Sequence, residues 1–381
     1  MSNQSQTGWA RRQMRTCAIG LVMMTVACAQ RVALGQDAPT SASSDATAPF
    51  FDPSVLDPSV PSPLSVVGFE VGRHAVRYDA LVRYLHALAD ASPAVTLTPY
   101  AETHEDRTLY YLTITSPANH ARLPRIKDAN ARLADPRRGL TAELDAAIVD
   151  GSIPAIAWLA YSIHGDELSS TDAAMQVAYR LAAGSDEAMR RMRDQLVIHI
   201  DPLMNPDGRE RYLGQIEQLS GKVPNSDYQA MQHRGLWSAG RGNHYLFDLN
   251  RDWLMQVHPE TKGRAAAILS WNPQLVVDSH EMGELDTYLF DPPREPLNLQ
   301  LSDGVMEWRR RFSADQAAAF DRHGWSYYTR EWYEEWYAGY TNSWASMTGA
   351  VGLLYEQAAV NADSIKQANG RVRTGKNSRC G

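Results

Sequence analysis

Four short apolar runs constrain the fold of this chain more than any other feature of its sequence. Each run is apolar at consecutive positions and is bounded by polar residues or glycine, as is typical of strands buried on both faces of a sheet. Helical patterns lie between the runs, and this alternation predicts an α/β fold with a mixed, largely parallel sheet flanked by helices. The runs are IPAIAWLAYSI (153–163), QLVIHIDPL (195–203), PQLVVDS (273–279) and AVGLLYEQ (350–357).

Two further patterns predict a helix and a β-hairpin before the first of these runs. Apolar residues recur at helical spacing in VRYDALVRYLHALADASP (76–93), which ends at a Ser-Pro pair. VTLTPYA (95–101) and RTLYYLTIT (107–115) flank the polar ETHED, which predicts a hairpin. After the first apolar run, Ser169 and Asp172 predict a capping box for a helix that ends at about Ala183.

The first 35 residues have the features of an export signal. Arginines at positions 11, 12 and 15 precede the apolar run CAIGLVMMTVACA, which is too short to span a bilayer as a stable helix. Small residues predict cleavage after Ala29 or Gly35, and TVAC is a poor match to a lipoprotein site at Cys28. We therefore expect a periplasmic or secreted protein that has no lipid anchor and no membrane span after signal removal.

The segment after the signal has the composition of a linker. Residues 36–65 are rich in Ala, Ser, Asp and Pro and have no apolar period, so a flexible linker is predicted before a domain at 66–381. Cys17 and Cys28 would leave with the signal, and Cys380 would remain as the only thiol. No internal disulfide is therefore expected.

The composition excludes some classes of partner. An apolar share of 44% against 21% charged residues is ordinary for a globular protein. The net charge of -7 argues against nucleic acids and anionic membranes, because both require a basic surface. The substrate is therefore expected to belong to another class of molecule.

Polar residues at the ends of two predicted strands have the types that bind zinc. His164 and Glu167 follow the first apolar run, and His280 follows the third. In open α/β sheets the reactive groups collect at the carboxyl ends of the strands. Two imidazoles and one carboxylate, with one position left for water, are the ligands of a catalytic zinc. The sequence therefore predicts one zinc ion per chain, although a lone His-x-x-Glu is also compatible with ordinary turn chemistry.

Other polar residues near strand ends could support this site. Asp248 and Asp278 are candidates to accept a hydrogen bond from a metal-binding histidine. For Asp278, capping of nearby backbone N–H groups is an equal alternative. Asn250 and Arg251 stand side by side and suit a carboxylate. Glu356 ends the last apolar run, where an isolated acid is costly unless it is partnered or used as a general base.

Five motifs in order resemble the zinc carboxypeptidases related to carboxypeptidase A and B. The motifs are HGDE, NPDG, DLNRDW, DSH and the final YE, and the similarity extends from about residue 66 to residue 356. The resemblance implies that His164, Glu167 and His280 bind zinc and that Asp248 orients His164. It also implies that Glu356 is the catalytic base.

The resemblance assigns the substrate-binding residues as well. Asn250 and Arg251 would hold the terminal carboxylate of a peptide, and a tyrosine would close over it. Tyr337 and Tyr340 are the preferred candidates for this tyrosine, with Tyr333 as a competitor. An arginine four residues after a tryptophan would polarise the scissile carbonyl, which favours Arg241, with Arg234 as second choice.

The sequence departs from the family pattern at three points. Asp252 stands where the family often has a second asparagine. Asn342 and Ser343 stand near the base of the specificity pocket, where an acid would be needed for basic side chains, so a neutral C-terminal residue is favoured. After Glu356 only a short polar tail follows, where the family adds a strand or helix, which suggests a truncated domain.

The resemblance implies hydrolysis of the last peptide bond of a peptide with a free C-terminal carboxylate. Two alternatives remain open. Small-molecule deacylases similar to succinylglutamate desuccinylase use the same zinc ligands, although an export signal favours peptides. A non-catalytic binding module is the other alternative, and it is disfavoured because a binding module would be free to lose Glu356.

Overall fold

A seven-stranded sheet forms the centre of the structure. The structure is a computed structural model that describes residues 51–222, 225, 230–233, 236–283, 287–331, 333–359, 364–366 and 372–374. The strands are β1 (Val95–Glu102), β2 (Thr108–Ile114), β3 (Ala155–Tyr161), β4 (Leu196–Asp201), β5 (Leu275–Met282), β6 (Tyr288–Phe290), β7 (Arg294–Leu297), β8 (Glu334–Glu335), β9 (Val351–Ala358), β10 (Ser364–Lys366) and β11 (Val372–Thr374).

The order of the strands in this sheet is β1-β2-β4-β3-β5-β9-β6. β4, β3, β5 and β9 are parallel to one another. β1 and β2 form the predicted hairpin at one side, and β6 pairs antiparallel with β9 at the other. The four parallel strands are the four apolar runs of the sequence, so the predicted fold class is confirmed. Two separate pairs, β7 with β8 and β10 with β11, lie outside this sheet.

Helices connect the parallel strands and cover both faces of the sheet. Alternate residues of β3 belong to different apolar clusters, with Ala157 and Leu159 in one and Ile156 and Trp158 in the other. The helices are α1 (Pro63–Val67), α2 (Tyr78–Ala91), α3 (Pro117–His120), α4 (Leu123–Ala134), α5 (Ala142–Val149), α6 (Leu168–Ala183), α7 (Glu187–Gln195), α8 (Pro206–Leu219), α9 (Pro259–Trp271), α10 (Asp303–His323) and α11 (Thr341–Met347).

The register of the parallel strands brings their carboxyl ends together. Tyr161, the last residue of β3, pairs with Ser279 of β5. On the other side of β5, His280 pairs with Glu356 of β9. Because these strands run in the same direction, the residues that follow them meet at one edge of the sheet.

The predicted linker is partly wrong. Residues 51–65 do not form a free connection, because Asp57 N–H donates to the Ala183 carbonyl at 2.7 Å and Ser185 N–H donates to the Val55 carbonyl at 2.8 Å. Val60 is 5% exposed and belongs to the main apolar core. This segment therefore packs on the C-terminal end of α6, and its last residues begin α1.

The other N-terminal predictions fall on residues 1–50, which lie outside the described residues. This applies to the export signal, its two cleavage sites and residues 36–50 of the linker. Among the described residues, no helix combines the length and apolar character that crossing a bilayer requires.

The predicted capping box at the start of α6 is also wrong. α6 begins at Leu168, and the residue before it, Glu167, makes no side-chain cap hydrogen bond. The Ser169 N–H instead donates to Glu281 at 2.9 Å. Asp172 is buried and accepts a hydrogen bond from the Val76 N–H at 3.1 Å. Long-range partners therefore occupy the groups that a local capping box would have used.

Candidate metal centre and active site

His164, Glu167 and His280, which we call the strand-end cluster, converge at the carboxyl ends of β3 and β5. The Glu167 carboxylate lies between the two imidazoles, with Oε1 at 2.5 Å from His164 Nδ1 and Oε2 at 3.0 Å from His280 Nδ1. The ring centroids are 5.0 Å apart, and all three residues are buried. One nitrogen of each ring and one carboxylate oxygen lie within 4.8 Å of one another, so the three residues could share a metal ion.

A glycine allows the turn after β3 to approach its neighbours closely. A Cβ atom on Gly165 would lie 2.1 Å from the Arg209 backbone nitrogen and 2.8 Å from the Gly240 carbonyl oxygen. The Gly165 N–H donates to that carbonyl at 2.9 Å. The NPDG motif starts α8 on the other side of this contact, with Asn205 as its N-cap. Both motifs therefore fix the backbone around His164.

The outer nitrogens of both histidines contact carboxylates. His164 Nε2 is 3.0 Å from Asp248 Oδ1, and His280 Nε2 is 2.7 Å from Asp278 Oδ2. A proton on each Nε2 would leave the Nδ1 lone pairs directed at the cluster, which is the arrangement that second-sphere carboxylates produce around metal-binding histidines. Asp278 thus contacts His280, two residues further along the chain. Asp248 lies where it could orient His164, which is the role predicted for it.

In the strand-end cluster, neighbouring charges shift the pKa values more than burial does. Burial alone would raise the pKa of Glu167, but the two imidazoles lower it to about 2. Burial alone would lower the pKa of His164, but the negative charge of Glu167 raises it. The pKa of His280 is raised for the same kind of reason, with Asp278 as the largest contributor. The buried carboxylates therefore require positive charge at this position, which either protons or a metal ion can supply.

Glu356 lies beside the strand-end cluster on β9. It is 7% exposed, and its Oε2 has no hydrogen-bond partner among the described residues. Burial raises the pKa of Glu356 to about 7, with further contributions from the charges of Glu167 and Asp278. A carboxyl group with such a pKa can accept and release a proton near neutral pH.

Arg241 lies at the outer side of His164. Its guanidinium contacts the Asp248 carboxylate through Nε at 3.0 Å and through Nη2 at 2.8 Å. Its Nη1 is 3.4 Å from His164 Nδ1, and about half of its side chain is exposed. Arg241 can therefore reach a group bound at the cluster, whereas Arg234, the second choice, lies outside the described residues.

Asn250 and Arg251 have different surroundings in the structure, and their joint binding of a carboxylate stays a prediction. Asn250 is buried, and its Oδ1 accepts hydrogen bonds from Thr341 N–H and Oγ, each at 2.9 Å. Its Nδ2 points inward, 3.4 Å from Asp278 Oδ2. The amide of Asn250 therefore connects Thr341, at the start of α11, with Asp278, which contacts His280. Of the two neighbours, only Arg251 is exposed.

Two of the three candidate tyrosines lie beside Arg251. The Arg251 guanidinium carbon is 4.6 Å from the centre of the Tyr340 ring, and Tyr337 packs edge-on against Tyr340 at 5.8 Å. Tyr337 is 40% exposed, whereas Tyr333 is buried. Tyr337 and Tyr340 therefore remain candidates to cover a bound substrate, and the position of Tyr333 is that of a packing residue.

Two of the departures from the family pattern lie in buried positions. Asp252 accepts hydrogen bonds from the Val257 N–H at 2.9 Å and the His258 N–H at 3.0 Å, so it organises a loop. Asn342 and Ser343, in the first turn of α11, are both buried. Beyond Glu356 the described residues include the short pair of β10 with β11.

A family model decides what kind of protein has this site. The model of the zinc carboxypeptidase family matches residues 81–371. The chain belongs to the zinc carboxypeptidase family. The resemblance inferred from the five motifs is thereby confirmed.

A solved carboxypeptidase A shares the fold at low sequence identity. Carboxypeptidase A from Helicoverpa armigera is 17% identical with a TM-score of 0.50, and the match covers 79% of this chain and 67% of that chain. A metallo-carboxypeptidase from Burkholderia cenocepacia is 18% identical with a TM-score of 0.49, and the match covers 82% of this chain. The chain spans 66% of the length of the Burkholderia protein. No sequence among the curated proteins matches the chain significantly.

The strand-end cluster fits the metal for which the family is named. Zinc in catalytic sites takes two imidazoles and a carboxylate from the protein. The cluster offers these groups, both histidines have outer carboxylate contacts, and Glu356 adds an unpartnered buried oxygen beside them. The side chains described in this part of the chain therefore suit a zinc ion.

Sequence reasoning missed the contribution of Glu281. Its backbone N–H donates to Glu167 Oε2 at 3.1 Å, and its carboxylate accepts the Ser169 N–H. Burial raises the pKa of Glu281 to about 8, with the charge of Glu167 as a second cause. The only signal for Glu281 in the sequence is its position next to His280. Its contact with Ser169 joins residues that are far apart in the chain, so no local pattern indicates it.

Proposed function

We propose that this member of the zinc carboxypeptidase family is a zinc-dependent carboxypeptidase that hydrolyses the C-terminal peptide bond of peptides. The observation that carries the proposal is the position of Glu356, which pairs with His280 across two strands and has an unpartnered buried oxygen beside the strand-end cluster. A module that only bound peptides would have no use for a buried carboxyl group with a pKa of about 7.

His164, Glu167 and His280 would hold the zinc ion. When bound, zinc supplies a Lewis acid that polarises a carbonyl oxygen and lowers the pKa of water. Asp248 and Asp278 keep the outer nitrogens of the two histidines engaged, so that their inner nitrogens stay directed at the metal.

Glu356 would carry the proton during hydrolysis. It removes a proton from the attacking water, whose oxygen forms a bond to the scissile carbonyl carbon. When the C–N bond breaks, Glu356 delivers the proton to the departing amine. Burial raises the pKa of Glu356, which favours its uptake of a proton from water.

Arg251 would recognise the substrate's terminal carboxylate. Its guanidinium is partly exposed, lies over the Tyr340 ring and has Nη1 3.8 Å from Asp248 Oδ2, so these contacts preorient it. Arg241 lies nearer to His164 and would contact the scissile carbonyl. Tyr337 or Tyr340 would cover the substrate, and the neutral Asn342 and Ser343 favour a neutral C-terminal side chain.

We also propose that the protein acts after export, in the periplasm or as a secreted enzyme. The arginines and the apolar run at the N-terminus support this location. The N-terminal residue of the mature protein, determined by mass spectrometry of the exported fraction, would test it. A mature chain that begins after Ala29 or Gly35 is expected, and an intact N-terminus in that fraction would contradict the proposal.

Paired peptide substrates test the exopeptidase function. A hydrogen bond to a charged group contributes about 2 kcal/mol, so a peptide with a free C-terminal carboxylate should be cut on the order of thirtyfold faster than its amide. Arg251→Ala should abolish this preference, whereas Arg83→Ala, which removes an exposed arginine paired with Asp79, should not.

The same assay separates the alternatives. Equal cleavage of the acid and the amide would contradict the exopeptidase assignment. Activity on N-acyl amino acids without activity on peptides would favour a deacylase. Peptide binding without turnover of either substrate would favour a binding module.

A further inference from the structure

A second group of two histidines and one glutamate lies apart from the strand-end cluster. His104 is in the turn between β1 and β2, and His258 and Glu260 are at the start of α9. We call these three residues the hairpin cluster. One nitrogen of each imidazole and one oxygen of the carboxylate lie within 4.8 Å of one another, and the two clusters share no residue.

The glutamate of the hairpin cluster has an unsatisfied oxygen. Glu260 is 1% exposed, and within the described part of the chain its Oε2 has no hydrogen-bond partner. This oxygen is 3.9 Å from His104 Nε2, so it faces the imidazoles. A buried carboxylate oxygen without a donor is costly, and a cation at this position would remove the cost.

The two imidazoles are close enough to share an ion. His104 Nε2 is 3.1 Å from His258 Nδ1. Two nitrogens bound to one zinc at about 2.0–2.1 Å in tetrahedral geometry are separated by roughly 3.4 Å, so only a small displacement is needed.

An asparagine indicates which nitrogen of His258 is unprotonated. Asn243 Oδ1 accepts hydrogen bonds from Tyr245 N–H at 3.0 Å and from Phe247 N–H at 3.2 Å, which fixes the orientation of its amide. The Nδ2 group of Asn243 is therefore the one at 3.1 Å from His258 Nδ1. Since Nδ2 is a donor, His258 Nδ1 presents a lone pair on the side of the cluster, which is the form that binds metals.

The scaffold holds the hairpin cluster in place without a metal. A Cβ on Gly263 of α9 would lie 2.3 Å from the Ala101 side chain of β1, so the helix and the hairpin are in close contact. Tyr245 packs edge-on against the His104 ring at 4.7 Å, and the Phe247 ring is 4.7 Å from that of His258. The three donors therefore do not depend on one flexible loop.

We propose that His104, His258 and Glu260 form a second divalent-cation site, which takes an ion that prefers imidazole and carboxylate donors, such as zinc or cobalt. The ion would join the tip of the β1–β2 hairpin to the start of α9. Its affinity is expected to be lower than that of the strand-end cluster, because the His104 side chain is 26% exposed and the amide of Asn243 competes for His258 Nδ1.

Cobalt binding to a variant that lacks the strand-end ligands tests the proposal. The His164→Ala/His280→Ala protein, freed of metal with a chelator, should bind about one Co²⁺, with an absorption spectrum typical of nitrogen and oxygen ligands. Adding His258→Ala should weaken this binding at least about tenfold. Adding His244→Ala should leave it unchanged, because His244 contacts Glu105 instead and is a neighbouring histidine outside the cluster.

Wild-type protein provides a second measurement that does not depend on the folding of the multiple variants. Saturation with Co²⁺ should give about two ions per chain in the wild type and about one in His258→Ala. The backbone of His258 should be unaffected, because its side chain makes no cap hydrogen bond with α9.

Several results would overturn the proposal. These are saturation of the wild type at one ion, equal binding with and without His258, or equal losses from His244→Ala and His258→Ala. In any of these cases the hairpin cluster is a hydrogen-bonded group only. The readout is metal binding and not turnover, so failure here leaves the proposed carboxypeptidase function untouched.

Discussion

The strand-end cluster and the hairpin cluster contain the same residue types but differ in their surroundings. In both, two histidines and one glutamate bring donor atoms within 4.8 Å of one another. In the strand-end cluster, both outer imidazole nitrogens contact carboxylates, and Glu356 lies on the adjacent strand. In the hairpin cluster, His258 is contacted by the neutral amide of Asn243, and the His104 side chain is 26% exposed.

This difference separates metal binding from catalysis. Three donors at the right spacing are sufficient for an ion to bind, but outer carboxylates make the imidazoles better ligands and fix their orientation. Turnover further requires a group that can move a proton beside the ion. Asp278 and Glu356 lie on the adjacent parallel strands β5 and β9. Asp248, the other outer carboxylate, lies just before a short 3-10 helix.

The largest expected effect comes from Glu356, the residue for which we propose the catalytic role. Glu356→Gln should lower kcat for peptide hydrolysis by about 10²–10⁴-fold, because the charge that accepts the proton is removed while the shape of the side chain is kept. Zinc content should stay at the wild-type level. Steady-state kinetics and element analysis of the same preparation measure the two quantities.

Glu217→Gln is the matched control for this substitution, since Glu217 is exposed and pairs with Arg77. It should change neither quantity. If Glu356→Gln loses its zinc together with its activity, Glu356 is a ligand, and the proposed division between binding and proton transfer is wrong.

A smaller effect is expected from an outer carboxylate. Asp278→Asn should weaken zinc binding by about 10–100-fold, since loss of such partners has that cost in other metal sites. Asp248 is more exposed, with 23% of its side chain accessible, so Asp248→Asn should cost less. Competition with a metal indicator measures both affinities.

Asp128→Asn, which changes an exposed acid that pairs with Arg132, is the control and should leave the affinity unchanged. An unchanged affinity in Asp278→Asn would instead support the alternative that Asp278 only satisfies backbone groups.

The smallest effect is expected at Asn243, whose amide contacts His258 of the hairpin cluster. Asn243→Ala removes the hydrogen bonds that Asn243 Oδ1 accepts from Tyr245 N–H and Phe247 N–H, and the contact between Asn243 Nδ2 and His258 Nδ1. Asn243 is buried, but Tyr245 and Phe247 are exposed, so water can replace the first two bonds. We expect the free energy of unfolding to fall by about 1 kcal/mol, which corresponds to a Tm lower by about 1–2 °C. Zinc binding at the strand-end cluster should be unchanged, and a clear loss there would show that the two clusters are coupled.

The sheet could be predicted from the sequence because its central strands are buried on both faces. Their continuous apolar runs do not depend on knowledge of distant contacts, and the strand ends then indicate where His164 and His280 lie. The prediction of a flexible linker at residues 51–65 is wrong because the contacts of this segment are with distant residues. Val60 is buried in the main core, and its segment bonds to Ala183 and Ser185 far along the chain, contacts that the composition of the segment does not indicate.

The same distinction between local patterns and distant contacts applies to the candidate site. The types and positions of the proposed zinc ligands follow from strand order, but the direction of a side chain does not. The pairing of Asn250 with Arg251 is plausible from adjacency, yet Asn250 turns inward because Thr341 supplies two donors to its oxygen. The hairpin cluster joins residues 154 positions apart, His104 and His258, and neither follows a buried strand. Sequence reasoning therefore had no basis to connect them.

Zinc content after dialysis against a weak chelator tests the central claim most directly, because such dialysis should empty the weaker hairpin cluster and leave a three-ligand catalytic site filled. The wild-type protein should retain about one zinc per chain. His280→Ala should retain almost none, while His244→Ala should match the wild type. Retention of the full amount of zinc by His280→Ala would contradict the assignment of the strand-end cluster as the metal centre.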